Sequence, residues 1–124
     1  MNQKFYIKIN PVYQKLKQAE TDSICIYLHA PVGTGKTSAV EYYFRNRSEE
    51  CQWLSGADGY LPEQPDFPTA LAQGKKVLVI DDISWITEQP SKNYVLSAIH
   101  QKELFVVLIG RNRMPMSTTN SSVW

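Results

Sequence analysis

Apolar positions along this chain fall into two patterns. Residues 24–28 (Ile-Cys-Ile-Tyr-Leu), 77–80 (Val-Leu-Val-Ile) and 104–109 (Leu-Phe-Val-Val-Leu-Ile) are unbroken apolar runs rich in β-branched side chains, with a weaker run at 51–54 (Cys-Gln-Trp-Leu). Runs that do not alternate polar with apolar predict strands covered on both faces, which is the situation in a mainly parallel sheet. Between them the apolar spacing becomes helical. Residues 37–47 place Ala39, Val40, Tyr43 and Phe44 on one face, and residues 91–102 do the same with Tyr94, Val95, Ala98 and Ile99. Ser91, just after Pro90, is the expected cap of that second helix. A further helix is expected from Pro11, with Asn10 as its cap and Val12, Tyr13, Leu16 and Ala19 facing inward. Strands alternating with helices predict βαβ units stacked as a three-layer α/β sandwich.

Residues 56–68 are dense in Gly, Pro and Asp and read as a surface loop, followed by one helical turn at 69–72. Residues 114–124 read as a polar tail, so the expected division is a domain over 1–113 and a tail over 114–124. There is no internal repeat or low-complexity segment.

Composition narrows the possible functions. The chain has 124 residues, 43% of them hydrophobic and 20% charged, ordinary values for one globular domain. Thirteen Lys and Arg against twelve Asp and Glu leave a formal charge of +1, which gives no overall electrostatic footprint for nucleic acid or a membrane surface. Cys25 and Cys51 are too few and too far apart for a disulfide framework or a zinc knuckle, and read as buried thiols of a reducing compartment. The longest apolar run is far short of the roughly 20 residues that span a bilayer, and no secretory signal pattern opens the chain. A cytoplasmic protein is expected.

The chemistry concentrates at strand ends. The first strand runs through His29 into Ala30-Pro31-Val32-Gly33-Thr34-Gly35-Lys36-Thr37 and straight on into a helix. A phosphate loop asks for Gly, four residues and then Gly-Lys-Ser/Thr; here Ala30 takes the first Gly position, while Gly35, Lys36 and Thr37 are intact. Small residues let the backbone N–H groups of the loop point at a phosphate, and the helix N-terminus adds the positive end of its dipole. Pro31, Val32, Gly33, Thr34, Gly35, Lys36, Thr37 and Ser38 are the candidate nucleotide-binding residues, Lys36 bridging the β- and γ-phosphates and Thr37 offering its hydroxyl to magnesium. The run at 77–80 delivers Asp81 and Asp82 to the same edge, 45 residues after Lys36. Asp81 is expected to hold magnesium with Thr37, and Asp82 to orient or deprotonate an attacking water. The last strand leads into Gly110-Arg111-Asn112-Arg113. If it lies between the first and third strands, a cation there reads the γ-phosphate, with Arg111 the first choice and Asn112 and Arg113 the substitutes.

Other residues carry less. His29 and His100 read as packing, capping or surface residues, Trp53 and Trp85 as packing, and Lys15, Lys17, Lys75 and Lys76 as solvated charges. Tyr13 or the pair Phe5 and Tyr6 are candidates for stacking on adenine.

Taken together, these residues resemble the nucleotide-binding domain of the STAND ATPases, in the branch at the N-terminus of large LuxR-type transcription regulators such as the maltose-system activator. That branch carries Ala-Pro-x-Gly-x-Gly-Lys-Thr, matched by residues 30–37; a short strand with a Trp, matched at Gln52, Trp53, Leu54 and Ser55; an apolar strand ending Asp-Asp; and a sensor after the fourth strand, matched by Arg111. The resemblance implies an α/β/α P-loop NTPase fold with a mainly parallel sheet in the order 1-4-3-2, its fifth strand missing. It further implies ATP or ADP with Mg2+ as ligands, and a nucleotide switch with slow or no hydrolysis in isolation. Other domains of a parent regulator and self-association are the expected partners, without direct nucleic-acid or membrane contact. The segment between the second and third strands is shorter than in that branch, and no lid follows the fourth strand, so the chain reads as an N-terminal fragment. A compact AAA-type or helicase-like motor ATPase acting on nucleic acid is the alternative.

Overall fold

The computed structural model describes residues 10–29 and 36–110. In chain order these form α1 (Asn10–Asp22), β1 (Ile26–His29), α2 (Lys36–Tyr43), a short 3-10 turn (Ser48–Glu50), β2 (Cys51–Ser55), α3 (Phe67–Ala72), β3 (Val77–Asp81), a second 3-10 turn (Ile83–Trp85), α4 (Gln89–Ile99) and β4 (Phe105–Gly110).

The four strands make one sheet in the order β1-β4-β3-β2, with every neighbouring pair parallel. This is the order expected from the sequence. Parallel pairing turns all four carboxyl ends toward one edge, and the register is tight: Ile80 lies opposite both Leu54 and Leu108, and Leu28 opposite Ile109.

Side-chain alternation sorts each strand onto two faces. Tyr27, Leu78, Ile80, Val106 and Leu108 pack on one face with Val95 and Ala98 of α4, Ile83, Ile86 and Leu61. Ile26, Leu28, Val77, Val79, Val107 and Ile109 pack on the other with Leu16 and Ala19 of α1 and Val40 and Phe44 of α2. Helices thus cover both faces, which is why these strands read as unbroken apolar runs.

Several boundaries and roles differ from expectation. Ile24 is 45% exposed and precedes β1, which starts at Ile26; its apolar character extended the run but not the strand. Helix α2 stops at Tyr43, and residues up to Arg47 form turns in which the Arg47 N–H donates to the Phe44 carbonyl at 2.8 Å.

Ser91 is not the cap of α4. The helix starts two residues earlier, with Pro90 in its first turn where a missing N–H costs nothing. Ser91 is fully buried inside the helix, accepts the Leu61 N–H at 2.9 Å and donates to Glu88 Oε1 at 2.6 Å.

That bond explains a second difference. The 56–68 segment is tied down rather than wholly at the surface, with Leu61 only 3% exposed. Its end starts α3 early, at Phe67, because Asp66 caps it: Asp66 Oδ2 accepts the Thr69 N–H at 3.2 Å and the Thr69 hydroxyl at 2.9 Å.

A polar clamp joins α1 to the turn after α2. Arg47 makes two hydrogen bonds to the Glu20 carboxylate, at 2.8 and 2.9 Å, and the Tyr43 hydroxyl donates to the same carboxylate at 2.8 Å. The guanidinium also lies 5.0 Å from the Phe44 ring centroid. No helix among the described residues is long and apolar enough to cross a membrane.

Candidate functional site

The candidate site residues fall at the carboxyl edge, where β1, β3 and β4 all end. β1 ends at His29 and α2 opens at Lys36. Pro31, Val32, Gly33, Thr34 and Gly35 of the expected phosphate loop lie outside the described residues, as does Arg111. The described structure therefore fixes the loop's two anchors, a strand end and a helix start, which is the junction the sequence predicts.

Thr37 is the second residue of α2. Its hydroxyl donates to Asp81 Oδ2 at 3.0 Å, and the other carboxylate oxygen, Oδ1, accepts the Asp82 N–H at 2.8 Å. The two residues expected to share a magnesium ion are thus in contact across 44 positions of sequence. Ser38 is exposed on the first turn of the helix.

Asp82 follows at φ 56°, ψ 39°, a left-handed conformation in which Asp is among the few tolerated side chains. This turn swings the chain out of the sheet and into the Ile83–Trp85 3-10 turn. The strand end is held on its other side by β2, where the Gly56 N–H donates to the Asp81 carbonyl at 2.9 Å.

β4 lies between β1 and β3, which is the condition on which the sensor expectation rests, and Gly110 at its end is the last described residue before Arg111.

Mg2+ prefers hard oxygen ligands and is usually held by one or two carboxylates together with phosphate and water rather than by a full protein cage. The Thr37 hydroxyl and the Asp81 carboxylate are donors of that class. Among the described residues no group of three or more His, Cys, Asp or Glu could hold a metal alone. The donor set fits a phosphate-bridged magnesium and does not fit a zinc-type site.

The remaining candidates fall elsewhere. The Tyr13 ring packs edge-on against Tyr43, 4.9 Å between centroids, and Phe5 and Tyr6 lie outside the described residues. Trp53 is partly buried on β2, Trp85 is 47% exposed, and His100 is exposed at the end of α4. Cys25 and Cys51 are free and buried, as expected; burial pushes the first thiol up to about 12 and the second to about 11, so both are inert at neutral pH.

Two glycines at strand ends carry a role that periodicity does not reveal. A Cβ at Gly56 would collide with Ile86, coming within 2.8 Å of its Cδ1, and one at Gly110 would collide with the Tyr27 hydroxyl and come within 2.7 Å of Ser84 Oγ. Their only sequence signal is Gly at the end of an apolar run.

No protein-family model and no curated protein matches the chain. Among solved structures it is similar to the P-loop NTPase domain of a sigma-54 transport activator from E. coli, with a TM-score of 0.52. The chain has the P-loop NTPase fold. The match covers 84% of this chain and 75% of that one, and the 24% identity makes it a likeness of fold. It does not reach the LuxR branch that the sequence motifs resemble.

Proposed function

We propose that this chain is a nucleotide-binding domain that takes ATP or ADP with Mg2+ at the carboxyl edge of its sheet. The observation that carries this reading is the 3.0 Å hydrogen bond between Thr37 and Asp81, because it joins the last residue of the Gly-Lys-Thr motif to the acid at the end of β3. In this reading residues 31–38 wrap the phosphates, with Lys36 between the β- and γ-phosphates and the start of α2 directing its N–H groups and dipole at the anion. Thr37 and Asp81 hold the magnesium, which when bound offsets phosphate charge. Asp82, one residue beyond, orients or deprotonates a water, and Arg111 reads the γ-phosphate. Hydrolysis is slow or absent in the isolated domain.

The motifs that resemble the LuxR-type branch support a finer reading: the domain is the nucleotide switch of a cytoplasmic transcription regulator, working through other domains or self-association rather than by touching DNA.

Calorimetric titration of Mg·ATP into the wild type and Lys36→Ala tests the binding claim. The expected result is saturable binding by the wild type and a loss of at least about tenfold in the variant, the cost of one charge-assisted phosphate contact. Equal binding by both, or none by the wild type, refutes it. Turnover stimulated by added nucleic acid would replace the switch with the motor ATPase.

A further inference from the structure

The face of the sheet covered by α4 is apolar along Leu78, Ile80, Val106 and Leu108, and at its carboxyl end it changes character. Tyr27 of β1 lies opposite Leu108 of β4, so Gly110, two residues on, is its diagonal neighbour on the same face. The Tyr27 side chain spans that diagonal. Its hydroxyl is hydrogen-bonded to the Ser84 hydroxyl, which comes from the 3-10 turn after β3. Both oxygens crowd the place where a Cβ of residue 110 would be: it would collide with the Tyr27 hydroxyl, lie 2.7 Å from Ser84 Oγ and lie 3.0 Å from Tyr27 Cε1. Glycine is the residue that leaves this space for two hydroxyls.

The ladders show what the pair adds. β1 and β4 stay paired as far as His29 and Gly110, whereas the β3–β4 ladder ends at Ile80 and Leu108. Beyond that point β3 turns away through Asp82, so the hydroxyl pair spans the gap from the departing turn to the strands beside it. Ser84 sits two residues after Asp82, and Gly110 one residue before Arg111. A buried phenol beside apolar side chains costs free energy unless its oxygen is bonded, and Phe would fill the same volume without that cost. A tyrosine here is therefore accounted for by what its hydroxyl holds.

We infer that Tyr27 and Ser84 are positioning residues which, wedged against Gly110, lock the turn carrying Asp82 to the strand leading to Arg111. This role rests on the proposed function: it holds the turn carrying Asp82, the residue proposed to handle water, against the end of β4 at Gly110, next in sequence to the residue proposed to read the γ-phosphate.

Two measurements separate the interlock from the function it serves. The first is a stability cycle of Gly110→Ala, Tyr27→Phe and the double variant by urea denaturation. Gly110→Ala is expected to lower the midpoint, and Tyr27→Phe to recover part of that loss by removing the oxygen a Cβ meets first. Strictly additive effects would overturn the interlock. The second is the affinity ratio for Mg·ATPγS over Mg·ADP in the wild type, Tyr27→Phe and Ser84→Ala. The ratio is expected to fall several-fold toward unity in both variants, a change that a loss of stability alone does not produce. A wild-type preference that both variants keep unchanged overturns the positioning role while leaving the proposed function intact. If the wild type binds neither nucleotide, the proposed function and the positioning role fall together, and the cycle still decides the interlock.

Discussion

The Thr37 hydroxyl donates to Asp81 Oδ2 at 3.0 Å, so the start of α2 and the end of β3 are pinned to each other by a side-chain hydrogen bond. The bond is partly solvated and neutral on one side, so its contribution to folding is modest, about 1 kcal/mol. Under the proposed function its larger consequence is preorganisation, since the two oxygens proposed to hold magnesium sit together and need little ordering. Asp81→Asn should therefore lower the unfolding free energy by no more than about 1–2 kcal/mol while removing most of the magnesium dependence of nucleotide affinity. Titrating ATP with excess Mg2+ and with EDTA measures this. A variant that keeps the wild-type ratio between the two conditions would remove Asp81 from the metal site.

Asp82 occupies a left-handed conformation that most side chains adopt only at a cost of about 1–2 kcal/mol. Asn shares its tolerance for that conformation. Asp82→Asn should therefore leave the thermal midpoint nearly unchanged and abolish any slow ATP turnover, whereas Asp82→Ala should lose both turnover and about 1 kcal/mol of stability. Phosphate release followed beside a melting curve distinguishes the outcomes, and turnover retained in the Asn variant would take Asp82 out of the chemistry.

That the strands are covered on both faces and that Thr37 and Asp81 meet at one edge was legible in the local pattern of the chain, whereas the strand order was an expectation from the family resemblance. Unbroken apolar runs signal strands covered twice, and in a parallel sheet their ends must share an edge. What pattern does not report is which partner a buried group takes. Ser91 follows a proline, as a helix cap often does, yet its hydroxyl belongs to Leu61, thirty residues upstream. Ile24 continues an apolar run and is nonetheless exposed, because hydropathy marks a run but not the residue at which hydrogen bonding to β4 begins. Glu20 and Arg47 look like ordinary surface charges until α1 and α2 pack side by side. The close approaches at Gly56 and Gly110 depend on side chains from elsewhere in the chain, so only the packed structure displays them.

At Gly56 the segments leaving β2 and β3 approach each other closely. Its N–H bonds to the Asp81 carbonyl, and an added Cβ would collide with Ile86, which is only 3% exposed and cannot swing into solvent. Gly56→Ala should destabilise the fold by about 1–3 kcal/mol, the usual cost of overpacking. Ile86→Val removes only Cδ1 and keeps the γ-carbon that lies nearest the added carbon, so it should recover a minor part of the loss, with that γ-carbon and then Asp82 O, 3.1 Å away, setting the remainder. Denaturant titration of the two single variants and the pair checks this, and equal losses with no recovery would place the strain at the γ-carbon and the backbone rather than at Cδ1.

The clamp between Glu20 and Arg47 sets a pH dependence whose sign follows from the direction of each shift. The Arg47 guanidinium bonded to Glu20 holds that carboxyl below its ordinary value of 4.5, with the Tyr43 hydroxyl acting in the same direction against the opposing effect of burial. The folded state therefore binds this proton less readily than the unfolded chain. The contribution is complete above about pH 4.5 and is lost as pH falls through the folded value. Both partners are about one-third exposed, so its size is that of a solvated ion pair, about 0.2–1 kcal/mol. Tyr43 behaves oppositely: burial first, and then its bond to Glu20, push the phenol from 10.0 up to about 12. Its contribution is complete below about pH 10 and is lost as pH rises through 12. Urea midpoints of wild type and Glu20→Gln should differ at pH 7 and draw together as pH falls below about 4.5 through the lowered folded value. Those of wild type and Tyr43→Phe should change relative to each other between pH 10 and 12, with the wild type falling further. Parallel curves in the acid range would show that Glu20 and Arg47 are not bonded in solution, and parallel curves in the alkaline range would show the same for Tyr43.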